Sequence, residues 1–236
     1  MSQPLLPLPT RSRATRASRL AVAALALAAG AAAAQVAPSI NLAEQMRAVL
    51  APATGGGTAF SGGGLGAFDA PIVVNGPAQL RQSATELAQR FPAAHRGAMT
   101  KAYEESFVFW QKLETQLGLT PNDVAAGVAA FIAGNYAAFM QEQVPDEDFK
   151  SLVLQMQGLL ARNAAFTRSS PAAKRAMFEQ LAMVGTFMAV YREHLSRKPS
   201  PNEEVHFRNA AKANLEAGLG LAVERIQIGS QGLVMR

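Results

Sequence analysis

The chain has 236 residues, of which 49% are hydrophobic and 17% are charged, and it contains no cysteine. Disulfide bonds and thiolate metal sites are therefore excluded, and stability must come from apolar burial. There are 22 basic and 17 acidic residues. Four of the basic residues lie before residue 20, and the other 18 nearly balance the 17 acids. The basic surface typical of nucleic-acid binding is therefore not expected.

The first 34 residues have the composition of a secretory signal peptide. They begin with a basic, acid-free region that contains Arg11, Arg13, Arg16 and Arg19. An apolar run of about 15 residues follows, shorter than the roughly 20 that a membrane-spanning helix needs. It ends in Ala32-Ala33-Ala34, small residues of the kind that signal peptidase requires. We predict cleavage before Gln35, export to the periplasm or beyond the cell, and no stable membrane span afterwards. An uncleaved N-terminal anchor is the alternative.

Residues 35–76 predict a short helix followed by a flexible linker. Between Asn41 and Leu50 the apolar residues recur at helical spacing. Residues 51–76 are rich in glycine, whose backbone entropy opposes ordering. A phosphate-binding loop is the alternative, but the glycines at 62–66 lack the Lys-Ser/Thr pair of such loops. Within this stretch, Ile72-Val73-Val74 is a candidate extended segment.

Residues 77–236 predict one helical domain, because four sites have the chemistry of helix starts. Thr120-Pro121-Asn122-Asp123 supplies a capping hydroxyl, a first-turn proline and a carboxylate, which predicts a helix from Pro121 to about Glu142. Ser200-Pro201-Asn202-Glu203 repeats this pattern, and Ser170-Pro171 gives a shorter version of it. Pro145 is followed by three acids, which complement a helix dipole and predict the fourth start.

Apolar periodicity indicates the same helices and predicts an all-α fold, a single bundle of about five to six helices. The predicted core stripes are Met99, Tyr103, Trp110, Leu113 and Leu117; Phe149, Leu152, Val153, Met156, Leu159 and Leu160; and Met177, Leu181, Val184, Met188, Tyr191 and Leu195. Phe107–Trp110 is apolar on every side and is predicted to lie deep in the core. Small residues over Ala125–Phe139 allow close helix approach, which predicts the central helix. Ile226–Ile228 alternates like a strand, with Ile72–Val74 as its candidate partner.

One pair of residues has a spacing found in metal sites. Glu203 and His206 form a Glu-x-x-His step, as in the di-iron centres of four-helix bundles. Such a centre needs a second step and two further glutamates, and the sequence has no second Glu-x-x-His. Glu203 also fits the capping box of its helix. The two residues are candidate metal ligands, but no metal and no cofactor are expected.

Three residues are candidates for ligand binding, and none is predicted to be catalytic. Asn135 and Tyr136 interrupt the small-residue helix, and Tyr103 lies on an apolar stripe. A buried asparagine needs hydrogen-bond partners. Asn135 therefore either pairs two helices or forms the polar floor of a pocket.

From about Leu87 to Leu233 the chain resembles a family of bacterial exported helical proteins that is defined only as a domain of unknown function. The residues that carry the resemblance are Phe91-Pro92, Ala125–Phe139 with Gly134-Asn135-Tyr136, Val144-Pro145-Asp146, Phe149, Gln155-Met156, Gln180-Leu181, Gly185 and Gln231-Gly232-Leu233. The resemblance implies a helical fold and export, and it implies no activity.

No motif in the sequence names a reaction. The favoured hypothesis is a non-enzymatic exported domain that contacts another protein of the cell envelope or outside the cell, with residues 35–76 as a tether or docking element. A binding protein for a lipid or other apolar ligand is the first alternative, because a bundle rich in Ala, Met and Phe has an apolar interior. An enzyme is the second alternative. It would require one cavity lined by Asn135, Tyr136, Tyr103, Glu104 and His206.

Overall fold

The computed structural model describes residues 46–48, 50 and 72–236 of the chain. The predicted signal peptide and residues 51–71 of the predicted linker lie outside the described residues. Residues 46–48 and 50 are helical. The elements that follow are α1 (Leu80–Ala88), α2 (Ala93–Leu117), α3 (Val124–Met140), α4 (Asp146–Arg162), α5 (Ala164–Arg168), α6 (Pro171–Arg197), α7 (Pro201–Leu219), a 3₁₀ turn (Val223–Arg225), β1 (Ile226–Gly229) and β2 (Gly232–Met235).

The fold is a helical bundle with one small hairpin, which confirms the predicted class. α3 is the central helix, because it packs against α4, α6 and α7 and is buried at every position from Val124 to Ala138. Its many alanines and glycines leave room for three neighbouring helices at once. α2 packs on α1 and α6. Among the described residues, no helix is both long and apolar enough to cross a membrane.

Glycine sets the separation of α3 and α6. A Cβ atom added at Gly134 would lie 2.0 Å from the carbonyl oxygen of Gly185, and one added at Gly185 would lie 2.2 Å from that of Ala130. Both facing atoms belong to helix backbone, which cannot turn aside as a side chain would. The two helices therefore touch backbone to backbone at this crossing.

The start of α3 differs from the prediction. Asn122 has a φ of +63°, a left-handed conformation through which a right-handed helix cannot continue. The helix therefore begins at Val124 rather than at Pro121. Asp123 is its cap, with a side chain that accepts a hydrogen bond from the Ala125 amide, so the predicted capping role of Thr120 is wrong.

The other three predicted helix starts are confirmed, at Asp146, Pro171 and Pro201. The Ser170 hydroxyl accepts a hydrogen bond from the Ala173 amide at 3.1 Å. Ser200 makes no such side-chain bond, so the hydroxyl cap predicted for α7 is wrong.

The predicted apolar stripes of α2, α4 and α6 are buried or packed against the core. The prediction that all of Phe107–Trp110 lies deep in the core is wrong, since Val108 is 47% exposed. α1 and α6 cover one side of α2 and leave Val108 on the other.

β1 and β2 form an antiparallel hairpin in which Ile226 lies opposite Met235. The predicted strand at Ile226–Ile228 is confirmed. Its predicted pairing with Ile72–Val74 is wrong, because a turn of only two residues brings β2 beside β1 and Val73 instead forms a bridge with Asp123.

A side chain of α4 bonds the hairpin to the bundle, in addition to the packing of the hairpin's buried apolar side chains in the core. The amide nitrogen of Gln155 donates to the Leu233 carbonyl, and its oxygen accepts from the Leu233 amide, both at 2.8 Å. Gln155 thus pairs with the outer edge of β2 as a neighbouring strand would. Gly232 has a φ of +78°, and a Cβ atom there would lie 2.6 Å from the Gln155 oxygen, so both the turn and this contact require glycine.

Two N-terminal segments also pack on the bundle. Met46 and Leu50 are fully buried, and the Asn163 amide donates to the carbonyl of Ala48 at 3.1 Å. Residues 72–79, which we call the strap, pass the start of α3 and lead into α1. Residues 72–76 of the predicted linker are therefore bonded to the helical domain.

Candidate functional site

The most distinctive polar feature of the structure is a buried ionic cluster at the start of α3. It consists of Glu114 from α2, Asp123 at the cap of α3, Gln157 from α4 and Arg175 from α6. Their exposed fractions are 4%, 1%, 5% and 7%, respectively. Burial of charged groups costs free energy unless they are paired and hydrogen-bonded, so the partners of each group decide what the cluster can do.

Asp123 joins three parts of the chain. Its Oδ1 atom accepts hydrogen bonds from the amides of Ile72 and Ala125, both at 3.0 Å. Its Oδ2 atom accepts one from Nε2 of Gln157 at 2.6 Å. Burial raises the pKa of Asp123, and these three hydrogen bonds oppose the rise. One carboxyl group thus caps α3 and links it to α4 and to the strap.

Arg175 holds the strap from the other side. Its Nη2 atom donates to the carbonyl oxygens of Val74 and Gly76, at 2.8 and 3.1 Å. Its Nη1 atom donates to Oδ1 of Asn122 at 2.7 Å. The guanidinium therefore ties α6 to the strap and to the residue that precedes the α3 cap.

Glu114 is the group of the cluster that titrates near neutral pH. Its pKa is raised from 4.5 to about 7, chiefly by burial and to a smaller extent by the neighbouring charge of Asp123. The Asn122 amide, the Trp110 indole and the charge of Arg175 act in the opposite direction. A protonated Glu114 leaves the pair Asp123 and Arg175 nearly neutral as a whole. An ionised Glu114 adds a second buried carboxylate.

Among the described residues, three buried polar atoms of the cluster have no hydrogen-bond partner. They are Oε1 of Glu114, Oε1 of Gln157 and Nε of Arg175. Buried unpaired atoms are uncommon in folded proteins, and each one costs free energy. The cluster can therefore bind and release a proton and has spare donors and acceptors, but its side chains are covered from solvent.

The structure pairs Asn135 with a residue that the sequence analysis does not single out. Asn135 and Asn214 of α7 are both fully buried, and Nδ2 of Asn214 donates to Oδ1 of Asn135 at 2.8 Å. Nδ2 of Asn135 donates to the Phe131 carbonyl. This geometry supports the interpretation that Asn135 pairs two helices, since its side chain accepts a hydrogen bond from α7 and donates one within α3.

We expect Asn135 and Asn214 to be energetically coupled. Asn135→Ala or Asn214→Ala removes one partner and leaves the other buried and unpaired, so each should cost about 2–3 kcal/mol of unfolding free energy. The double variant should cost about 1 kcal/mol less than the sum of the two. Urea denaturation of the four proteins measures the difference, with the exposed Asn209→Ala as control. Strictly additive losses would show that the two amides do not act together.

The two tyrosine candidates are both buried. The Tyr103 ring lies 5.5 Å from the ring of Phe187, and its hydroxyl has no hydrogen-bond partner among the described residues. Burial raises the Tyr103 pKa, while the nearby charge of Arg90 opposes the rise. Tyr136 lies on the buried surface of α3.

Glu203 and His206 do not face a common site. Glu203 accepts a hydrogen bond from the hydroxyl of Tyr191 at 3.0 Å, whereas His206 is exposed on α7. Burial, followed by this contact with Glu203, raises the pKa of Tyr191. Within the described part of the chain, no group of three or more His, Cys, Asp or Glu side chains is arranged to hold a metal ion.

Glu104 is also engaged elsewhere, since Nη1 of Arg81 donates to both of its carboxylate oxygens at 3.0 Å. Three of the five residues that an enzyme hypothesis would need in one cavity thus have separate partners. Asn135 contacts α7, Tyr103 contacts α6, and Glu104 contacts α1.

The buried ionic cluster was not predicted from the sequence, although the sequence contains a signal for it. Glu114 follows Tyr103, Phe107 and Trp110 in steps of four, three and four residues, so a charged side chain lies on an apolar helical stripe. Gln157 stands one turn after Val153 in the same way. Polar residues on a core stripe require buried partners, but helical spacing alone cannot say which.

The structure is a helical domain with one small hairpin, and its strap is hydrogen-bonded to the buried side chains of Asp123 and Arg175. A family of unknown function, DUF6683, matches residues 21–236. The chain belongs to this family. No curated protein and no solved structure matches the chain. Residues that carried the family resemblance meet in space, as Gly134 does with Gly185 and Gln155 with Leu233, so they hold the fold together.

Proposed function

We propose that this protein is exported and that its mature domain binds another protein in the cell envelope or outside the cell. The observation that carries the proposal is the order of residues 1–34, with an arginine-rich, acid-free start, an apolar run and a small-residue end. Bacterial export through the general secretory route accounts for this order. The family itself assigns no reaction, because its function is unknown.

The position of the N-terminal segments supports a docking role beside the bundle. Met46 and Leu50 are buried in the core, and the strap is bonded to Asp123 and Arg175. Residues 51–71 connect these two attachment points. A partner that binds residues 51–71 is therefore held next to the bundle and not at the end of a long tether.

The experiment has two parts, and the first tests export. N-terminal sequencing of the protein secreted by its host should give a sequence that begins at or near Gln35. An intact Met1 in the mature protein would contradict both the cleavage and the proposed compartment.

The second part tests the docking role by affinity capture from the envelope fraction. A deletion of residues 35–76 would remove Met46 and Leu50 from the core, so the suitable variant replaces residues 51–71 with a Gly-Ser sequence of equal length. Matching thermal unfolding of the two proteins serves as the control for folding. We expect the original chain to recover a partner that the variant loses. Recovery of the same proteins by both, or of none by either, would refute the docking role.

A further inference from the structure

The strap is attached to the bundle mainly by polar contacts. Val74 is its one buried side chain, and Ile72 is half-buried, whereas residues 73 and 75–78 are exposed. Such a segment buries little apolar area and belongs to the low-stability parts of a fold, which open locally without global unfolding. Its hydrogen bonds therefore decide whether it stays in place.

These hydrogen bonds converge on the buried ionic cluster. The Ile72 amide donates to Asp123, and the Val74 and Gly76 carbonyls accept from Arg175. The Val74 amide donates to the Asn122 carbonyl, and the Val124 amide donates to the Ile72 carbonyl. Farther along, the Gln79 amide donates to Oε1 of the buried Glu179 at 2.9 Å.

We propose that the strap is a proton-controlled latch, closed while Glu114 holds a proton and released when Glu114 loses it. Among the described residues, the charged groups that face Glu114 are Asp123 from α3 and Arg175 from α6. The neutral indole of Trp110 and the amide of Asn122 also act on its carboxyl group, which is buried and whose Oε1 atom has no hydrogen-bond partner among the described residues. With Asp123 ionised, the proton on Glu114 decides whether this buried cluster contains one carboxylate or two.

Loss of the proton acts on the strap in two ways. The new carboxylate repels Asp123 and attracts Arg175, whose Nη2 atom makes both of its hydrogen bonds to strap carbonyls. Rotation of the guanidinium toward Glu114 withdraws these bonds. Two buried carboxylates also gain free energy when water reaches them, and the strap, in which only Val74 is fully buried, can open at little cost in apolar area. The Glu114 pKa of about 7 places this change within the physiological range.

Hydrogen exchange at the amides of Ile72, Val74 and Val124 tests the latch. Exchange is measured between pH 5.5 and 8.5 and corrected for intrinsic rates. In the original protein we expect the protection of these amides to fall roughly tenfold or more over this range, to a level far below that of buried α6 amides. In Glu114→Gln, where the side chain at position 114 is neutral at every pH, the protection of these amides should stay at the level that the original protein shows at pH 5.5.

Glu105→Gln is the matched control, because Glu105 lies on the same helix and pairs with Lys101 at the surface. In this variant, the protection of the strap amides should fall with pH as it does in the original protein. Constant strap protection across the pH range would overturn the latch, and so would an equal fall in Glu114→Gln. Strap amides that exchange at the same corrected rate as α6 amides would also overturn it, because they would then exchange by global unfolding. The pH dependence of strap protection in the original protein tests the latch even if a variant folds poorly.

Discussion

Replacement of Gly185 by alanine is expected to lower the free energy of unfolding by about 3 kcal/mol or more. The added methyl group would lie 2.2 Å from the Ala130 carbonyl oxygen and 2.5 Å from the Phe131 amide nitrogen. Neither backbone atom can move without displacing α3. The helices must therefore separate, and the side chains packed around the crossing lose part of their contact energy. Since small domains are stable by only about 5–15 kcal/mol, urea or thermal unfolding will detect the loss readily.

Gly97→Ala is the matched control for this substitution. Gly97 lies in α2, and a Cβ atom there would meet nothing within 4 Å. Alanine should stabilise this exposed helical position by about 0.5–1 kcal/mol, because it favours the helix and restricts the unfolded chain. If Gly185→Ala were as stable as Gly97→Ala, the backbone contact between α3 and α6 would not be a feature of the folded protein.

The second large effect is expected at Glu114 and depends on pH. Burial raises the pKa of this carboxyl from 4.5 in the unfolded chain to about 7 in the folded protein. Between these two values the folded state binds more protons than the unfolded state, so the free energy of unfolding falls as pH rises. Below pH 4.5, Glu114 is protonated in both the folded and the unfolded state, so the loss of unfolding free energy disappears. At about 1.4 kcal/mol per pH unit, the total loss reaches up to about 3 kcal/mol above pH 7.

Glu114→Gln should remove this loss. The variant should match the original protein near pH 4.5 and exceed its stability at pH 8 by up to about 3 kcal/mol. Urea denaturation at pH 4.5, 6 and 8 measures the difference, and Glu105→Gln shows how much a carboxylate at the surface of α2 contributes. A difference between variant and original that does not change with pH would show that folding does not raise the pKa of Glu114.

Local chemistry predicted most of the helices. Prolines with acids or serine hydroxyls at helix starts placed α4, α6 and α7, and apolar spacing identified the faces that pack inward. The predicted start of α3 was wrong because Asn122 adopts a left-handed conformation. The sequence holds a signal for the later start, since asparagine is common in this conformation and aspartate is a stronger cap than threonine. The predicted hairpin partner was wrong because Ile72–Val74 was the one candidate named, whereas a two-residue turn favours the strand that is adjacent in the chain.

The buried ionic cluster could not be predicted because its members come from four separate helices. Asp123 was recognised as a carboxylate at a helix start, but its contact with Ile72 spans 51 residues and its contact with Gln157 spans 34. Arg175 lies in the first turns of a helix, where charged residues are ordinary. Periodicity predicts that a residue is buried, while the identity of its partner depends on how the helices cross.

The attachment of the hairpin to α4 determines when the domain can finish folding. Gln155 and Leu233 are 78 residues apart, and the buried Met46, near the other end of the described chain, lies beside Gly218 of α7. Contacts between such distant residues form slowly, since long loops must close before the contacts are gained. The face of α4 that carries Gln155 stays uncovered until residues 226–235 have been synthesised. The domain therefore completes its packing only late in synthesis, which leaves time for the proposed export of a chain that is not yet fully folded.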